Sequence, residues 1–243
     1  MRLDQYLVEQ GFFQTRARAR DAILRGTVEI DGAAARKPSQ KIAQHAQVHI
    51  DDPAQAYVSR AALKLKEGLV VSGFSASGKI CLDIGASTGG FTQVLLEDGA
   101  AKVHAIDVGH DQLVASLAKD SRVMQQDGLN ARTLTSQHLQ GDAPQMLVSD
   151  VSFISLKLAL PPALALAAHG AQGIFLVKPQ FEVGRERIGK GGLVDQETAA
   201  DCANELAYWL SEQSGWQVLG LCPSPIKGGD GNTEYLLYAQ KSG

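Results

Sequence analysis

From Lys79 onward, short apolar runs alternate with helical patterns. Strand-like runs are expected over 79–84, 103–107, 122–125, 145–150, 173–178, 216–221 and 234–239, and such alternation predicts an α/β doubly wound sheet with helices on both faces. Residues 2–50 read differently, as two short helical patterns followed by short strands, with turns at Arg25-Gly26 and Asp31-Gly32. Asp-Gly is a hairpin dipeptide, so a small α+β domain is expected there. Thr15 is a candidate N-cap for the second helix. The boundaries read as 1–52 for the small domain, 53–60 for a linker and 61–243 for the sheet domain, the stretch Asp51–Gln55 being short, acidic and proline-bearing. The longest apolar stretch, Leu156 to Ala168, holds Lys157, Pro161 and Pro162. It falls short of a membrane span and predicts a core helix with a punctuated start.

The chain has 243 residues, 44% hydrophobic and 20% charged, which predicts a packed globular protein. Its three cysteines, Cys81, Cys202 and Cys222, are widely spaced and form neither a disulfide framework nor a metal motif, so no metal is expected. Met1-Arg-Leu-Asp-Gln lacks the apolar run of a signal peptide, and a cytoplasmic location is expected. A net charge of −3 argues by itself against nucleic acid. The distribution changes that picture. Residues 1–50 carry a net +3 and the rest −6, a basic appendage on an acidic body. Arg16 and Arg20 share one helical face, with Arg18 and Arg25 on another strip.

Ligands of open parallel sheets bind beyond the carboxyl ends of the strands. The first strand run enters the turn Gly85-Ala-Ser-Thr-Gly-Gly-Phe91. A dinucleotide fingerprint needs glycine where Ser87 stands, which argues against a pyrophosphate and hence against a nicotinamide dehydrogenase. Asp83 precedes the first glycine and suits a ligand ammonium; S-adenosylmethionine has such a group and no phosphate. Asp107 closes the second strand run at the spacing expected for a ribose contact, and Asp127 follows the third as an adenine contact. The next two runs end on Asp150 and Lys178. A lysine at the end of a buried strand requires a partner, and Asp150 is the expected one. Phe153 and Phe181 follow strand ends, where an aromatic packs in the core more often than it stacks on a base.

The N-terminal stretches "RLDQYLVEQGF", "TRARARDAILRGTVEIDG" and "RKP" resemble the S-four-type RNA-binding domain. That resemblance implies phosphate contacts from Arg16, Arg18, Arg20, Arg25, Lys37 and Lys41. "VSRAALKL", "LDIGASTGGFT", "SDVSFISL", "LVKPQFEVG" and "GNTEY" resemble the TlyA family, also labelled hemolysin A-like, whose catalytic domain is of the FtsJ type. The resemblance implies a Rossmann-like S-adenosylmethionine-dependent methyltransferase sheet, with Lys64, Asp150, Lys178 and Glu234 as a catalytic tetrad. The cofactor site would comprise Asp83, Gly85, Ala86, Ser87, Thr88, Gly89, Gly90, Phe91, Asp107 and Asp127. The expected substrate is ribosomal RNA or a ribosomal subunit, methylated at a cytidine ribose 2′-hydroxyl by in-line displacement, with Lys178 as base. Arg60 and the glycine-hinged Arg185, Arg187 and Lys190 are further expected RNA contacts. The alternatives are a non-catalytic RNA-binding or assembly factor and a membrane-active hemolysin. No pattern fixes an oligomeric state.

Overall fold

In a computed structural model of the chain, every residue except Gln44 is described. The chain divides into two compact units, Met1–Ala56 and Tyr57–Gly243.

The first unit holds α1 (Leu3–Glu9), α2 (Arg16–Arg25), β1 (Val28–Ile30), β2 (Ala33–Ala34) and β3 (Val48–Ile50). The strands form an antiparallel sheet in the order β2-β1-β3. Thr15 caps α2 by accepting from the Arg18 backbone N–H at 3.3 Å. Asp31 and Gly32, both with positive φ, make the hairpin turn between β1 and β2. Leu3, Leu7, Ala19, Ala22, Ile23 and Val28 form the core. The arginine strip through position 25 faces protein. Arg25, expected to grip phosphate, directs both terminal nitrogens at Asp52 (2.8 and 2.9 Å) and its Nε at Asp21 (2.8 Å), and only 14% of the side chain is exposed. Arg18 donates to the Ala54 carbonyl.

The expected linker over 53–60 is taken up by the two units. Pro53–Ala56 is a 3-10 turn in the first, while Tyr57 is buried in the second and the Val58 N–H donates to Gln93.

The second unit contains, in chain order, α3 (Ala62–Ser72), β4 (Ile80–Ile84), α4 (Gly90–Glu97), β5 (Lys102–Ile106), α5 (Ala115–Ala118), β6 (Val123–Gln126) and β7 (Met146–Ser149). It continues with α6 (Leu156–Ala159), α7 (Pro161–Leu166), β8 (Gln172–Val177), α8 (Gln196–Ser211), β9 (Trp216–Pro223) and β10 (Tyr235–Lys241). All seven expected strands form, in the order β6-β5-β4-β7-β8-β10-β9. The first five in that order are parallel, whereas β10 pairs antiparallel with both β8 and β9. The apolar stretch 156–168 forms two short helices, because Pro161 and Pro162 start α7.

Side-chain alternation sorts the sheet into two cores. Leu82, Ile84, Ile106, Leu147, Phe175, Val177 and Leu237 pack with α6, α7 and α8. Cys81, Val103, Ala105, Val148, Ile174, Leu176 and Leu236 pack with α3, α4 and α5. Gly68 lets α3 approach the sheet closely, since a Cβ there would sit 2.9 Å from Ile174 Cγ2.

Candidate active site

The alternation that builds the core also places the chemistry. Asp83 lies in β4 on the α3–α5 side, and one further step along β5, β7 and β8 brings Asp107, Asp150 and Lys178 to that side. Tyr235 pairs with Val177, so Glu234, just before β10, falls opposite Lys178. Lys64 approaches the same face from α3 and forms an ion pair with Glu234, the two side chains being 6% and 3% exposed. Lys178 Nζ lies 2.7 Å from Asp150 Oδ1 and donates to Ser152 Oγ at 2.8 Å. These side chains are 11% and 17% exposed for Lys178 and Asp150, so this pair is more open than the first. The four residues of the expected tetrad thus form two lysine–carboxylate pairs on one face at one edge of the sheet. Among the described residues no His, Cys, Asp and Glu cluster could hold a metal ion.

A cleft of about 930 Å3 opens at this edge. Gly85, Ser87, Asp107 and Asp150 line it. Asp107 accepts from the Ser87 and Gly109 backbone N–H groups, at 2.8 and 2.7 Å, so the loops after β4 and β5 fix its carboxylate at the cleft wall. Gly89 is required by both space and backbone. Its φ is +100°, and a Cβ would meet Leu117 Cδ1 at 2.4 Å.

Other expected cofactor contacts lie outside the cleft lining. Asp83 is fully buried, with one oxygen accepting from Thr92 Oγ1 at 2.7 Å and the other without a hydrogen-bond partner among the described residues. Burial, reinforced by the charges of Asp150 and Asp107, pushes its carboxyl up to about 7 against the pull of the Thr92 hydrogen bond. Phe91 is 2% exposed and belongs to the α3–α5 core. Ala86 and Gly90 are buried while Thr88 is exposed. Asp127 accepts from the Asp111 N–H and from Gln125, which holds its carboxyl below the usual range. The neighbouring wall is formed instead by Leu129, Asn130, Ala131 and Arg132, with Asn130 capping the turn that follows. The residues Val151–Ser155, immediately after Asp150, form another wall, of which the reading of single residues named only Phe153.

Phe153 corrects the expectation of a core aromatic. It is 89% exposed, has a φ of +65°, and lies against Phe181 with ring centroids 4.9 Å apart. Positive φ in a bulky residue is a strained state that the surroundings must hold. Glu182 fixes the backbone that follows, accepting from Ser155 Oγ at 2.5 Å and from the Leu156 N–H at 2.8 Å.

The expected RNA-contacting side chains fall into two sets. In the first unit Arg16, Arg20, Lys37 and Lys41 are exposed, Arg16 also pairing with Asp4, while Arg18 and Arg25 bind protein groups. In the second unit Arg185, Arg187 and Lys190 are exposed on the glycine-hinged loop, and Arg60 lies near Gly229.

Residues 57–241 match the FtsJ-like methyltransferase family and residues 1–48 match the S4 domain. A relative from Brachyspira hyodysenteriae, named hemolysin A, is 39% identical over 98% of this chain and 99% of its own length. A Mycobacterium tuberculosis relative, named 16S/23S rRNA (cytidine-2′-O)-methyltransferase TlyA, is 42% identical over 98% of this chain and 88% of its own. A solved structure from Streptococcus thermophilus, described as a hemolysin, is 39% identical with a TM-score of 0.78, covering 100% of this chain and 88% of that one.

Proposed function

We propose, from the premise that this chain belongs to the FtsJ-like methyltransferase family, that it methylates a ribose 2′-hydroxyl of ribosomal RNA, at a cytidine, with S-adenosylmethionine as donor. The observation that carries this reading is the convergence of Lys64–Glu234 and Lys178–Asp150 on one sheet face beside a cleft large enough for a nucleoside cofactor. The cofactor fits the residues present. Asp107 offers a fixed carboxylate to ribose hydroxyls, and Asp83 carries a buried oxygen without a partner near the turn that a ligand ammonium would approach. When bound, S-adenosylmethionine supplies a methyl group already activated by its sulfonium.

Lys178 is the proposed base. It takes the hydroxyl proton, and the positive charge that results is stabilised by Asp150 at 2.7 Å. Lys64 and Glu234, paired and nearly closed to solvent, complete the group on that face and orient the acceptor ribose. Positioning of this kind supplies on the order of 7–11 kcal/mol in favourable intramolecular cases. Arg185, Arg187 and Lys190 contact the RNA backbone, as do Arg16, Arg20, Lys37 and Lys41 of the first unit, and Phe153 stacks on a base. A cytoplasmic location follows from this substrate. Among the described residues no helix is long and apolar enough to cross a membrane.

The test is methyl transfer from labelled cofactor to unmethylated ribosomal subunits, with the product mapped by resistance of the adjacent bond to alkali. Lys178→Ala is expected to lose about 100-fold or more of the rate, the scale of general-base catalysis, with cofactor affinity retained. Full activity in that variant removes Lys178 from the mechanism. An alkali-sensitive product removes the 2′-O assignment.

A further inference from the structure

Asn232 is a buried polar residue to which neither the cleft nor the lysine–carboxylate pairs assign a role. It is 2% exposed. Its carboxamide oxygen accepts the Val194 N–H at 2.8 Å and its nitrogen donates to the Gly192 carbonyl at 2.9 Å. Both partners end the segment that presents Arg185, Arg187 and Lys190. That segment has few attachments of its own. Gly191 and Gly192 adopt positive φ, and the Gly189 N–H closes onto the Leu193 carbonyl at 2.7 Å, making a small self-contained loop. On the other side, Asn232 is fixed by its own backbone. Its N–H donates to Asp230 and its carbonyl accepts from the Gly228 N–H, and two residues later Glu234 pairs with Lys64.

The carboxamide therefore joins the basic loop to the segment that carries Glu234. Each of its hydrogen bonds is made to backbone, so it fixes where the loop runs without depending on the loop's side chains. From this geometry we infer that Asn232 is a positioning residue: it sets the basic loop in register with the lysine–carboxylate pairs, so that an RNA backbone held by the loop presents its ribose at Lys178. This rests on the function proposed above.

The experiment is a double-mutant cycle between Asn232→Ala and the loop variant Arg185→Ala/Arg187→Ala/Lys190→Ala, read as KM and kcat on unmethylated ribosomal subunits. Amide exchange at Val194 and cofactor affinity are measured alongside. Asn232→Ala is expected to raise KM about tenfold, the scale of two lost hydrogen bonds, with cofactor affinity unchanged and Val194 exchange accelerated. In the loop-neutralised background the same substitution is expected to leave KM unchanged, because the loop no longer grips the RNA. Asn232→Ser, which adds no buried charge, supplies the cycle where the alanine variant does not fold. Equal KM increases in both backgrounds, or unaltered Val194 exchange, overturn the inference. Failure of the unsubstituted protein to methylate any subunit would overturn the proposed function instead, and the Val194 exchange would still decide whether Asn232 anchors the loop.

Discussion

Removing the Glu234 carboxylate is expected to destabilise the second unit sharply, and removing Lys64 with it is expected to repair the damage without restoring activity. The two side chains are 6% and 3% exposed, so Glu234→Leu leaves an ammonium with neither its carboxylate nor free access to water. Breaking a buried ion pair from one side costs about 3–5 kcal/mol. For a unit of this size each kcal/mol moves the melting temperature by about 2–4 °C, giving a fall of roughly 6–20 °C. Replacing both partners with apolar side chains of similar volume is often neutral or stabilising by about 1–4 kcal/mol. Lys64→Met/Glu234→Leu is therefore expected to recover most of the loss. Both tryptophans, Trp209 and Trp216, lie in the second unit, so urea unfolding followed by tryptophan fluorescence reports that unit. Methyl transfer is expected to be lost in Glu234→Leu, in the single variant Lys64→Met and in the double variant. A double variant whose loss equals the sum of the two singles would refute the coupling. A loss below about 1 kcal/mol in Glu234→Leu would refute the argument from burial, since that is the range of exposed pairs.

Asp83 carries the pH dependence. Its carboxyl is raised to about 7 in the folded protein, so the unfolded chain releases its proton first and stability falls as pH rises from about 4 to about 7. Asp83→Asn is expected to flatten that slope in urea titrations. Pairing with a ligand ammonium draws on the ionised carboxylate, so cofactor affinity measured by calorimetry is expected to rise from pH 6 to pH 8 and to stay flat in Asp83→Asn. Gly89→Ala adds a Cβ 2.4 Å from Leu117 at a φ of +100°, and is expected to cost about 1–3 kcal/mol in the same unfolding assay. Arg25→Ala strands Asp52, whose side chain is 3% exposed, and is expected to accelerate amide exchange in β1. Arg20→Ala is expected to leave that exchange unchanged while lowering the log–log salt slope of RNA binding by about 1.

The strands were legible because each is a short apolar run ending at a turn or a charge, as in Gly173-Ile-Phe-Leu-Val-Lys178. Asp150 and Lys178 could be paired from sequence because both end such runs in neighbouring parallel strands. Lys64 and Glu234 could not be paired by spacing. They are 170 residues apart, and meet only because Gly68 lets α3 close on the sheet and β10 returns antiparallel to β8. The direction of β10 has no local signature, so family resemblance supplied that pair. Arg25 looked like one more arginine on a basic helix, because its partner Asp52 lies 27 residues away at the border of what read as a linker. Phe153 misled for a related reason. It lies just before Ser155 and the start of α6, which Glu182 holds from another strand end, so its surroundings depend on a residue distant in sequence.

One structural choice concentrates the chemistry. Along β8, Ile174 and Leu176 face α3–α5 while Phe175 and Val177 face α6–α8. Lys178 inherits the first direction because the backbone remains extended there, with φ −117° and ψ 96°. Asp83, Asp107, Asp150 and Glu234 share that parity on four other strands. A slip of one residue in any register would turn the charged group toward the second core, where Leu156, Leu206 and Phe175 offer no partner. Burial on both faces therefore enforces the same registers that the chemistry needs. The hydrophobic pattern that specifies the fold also decides which charges meet, and the tetrad is held by the core as much as by its own ion pairs.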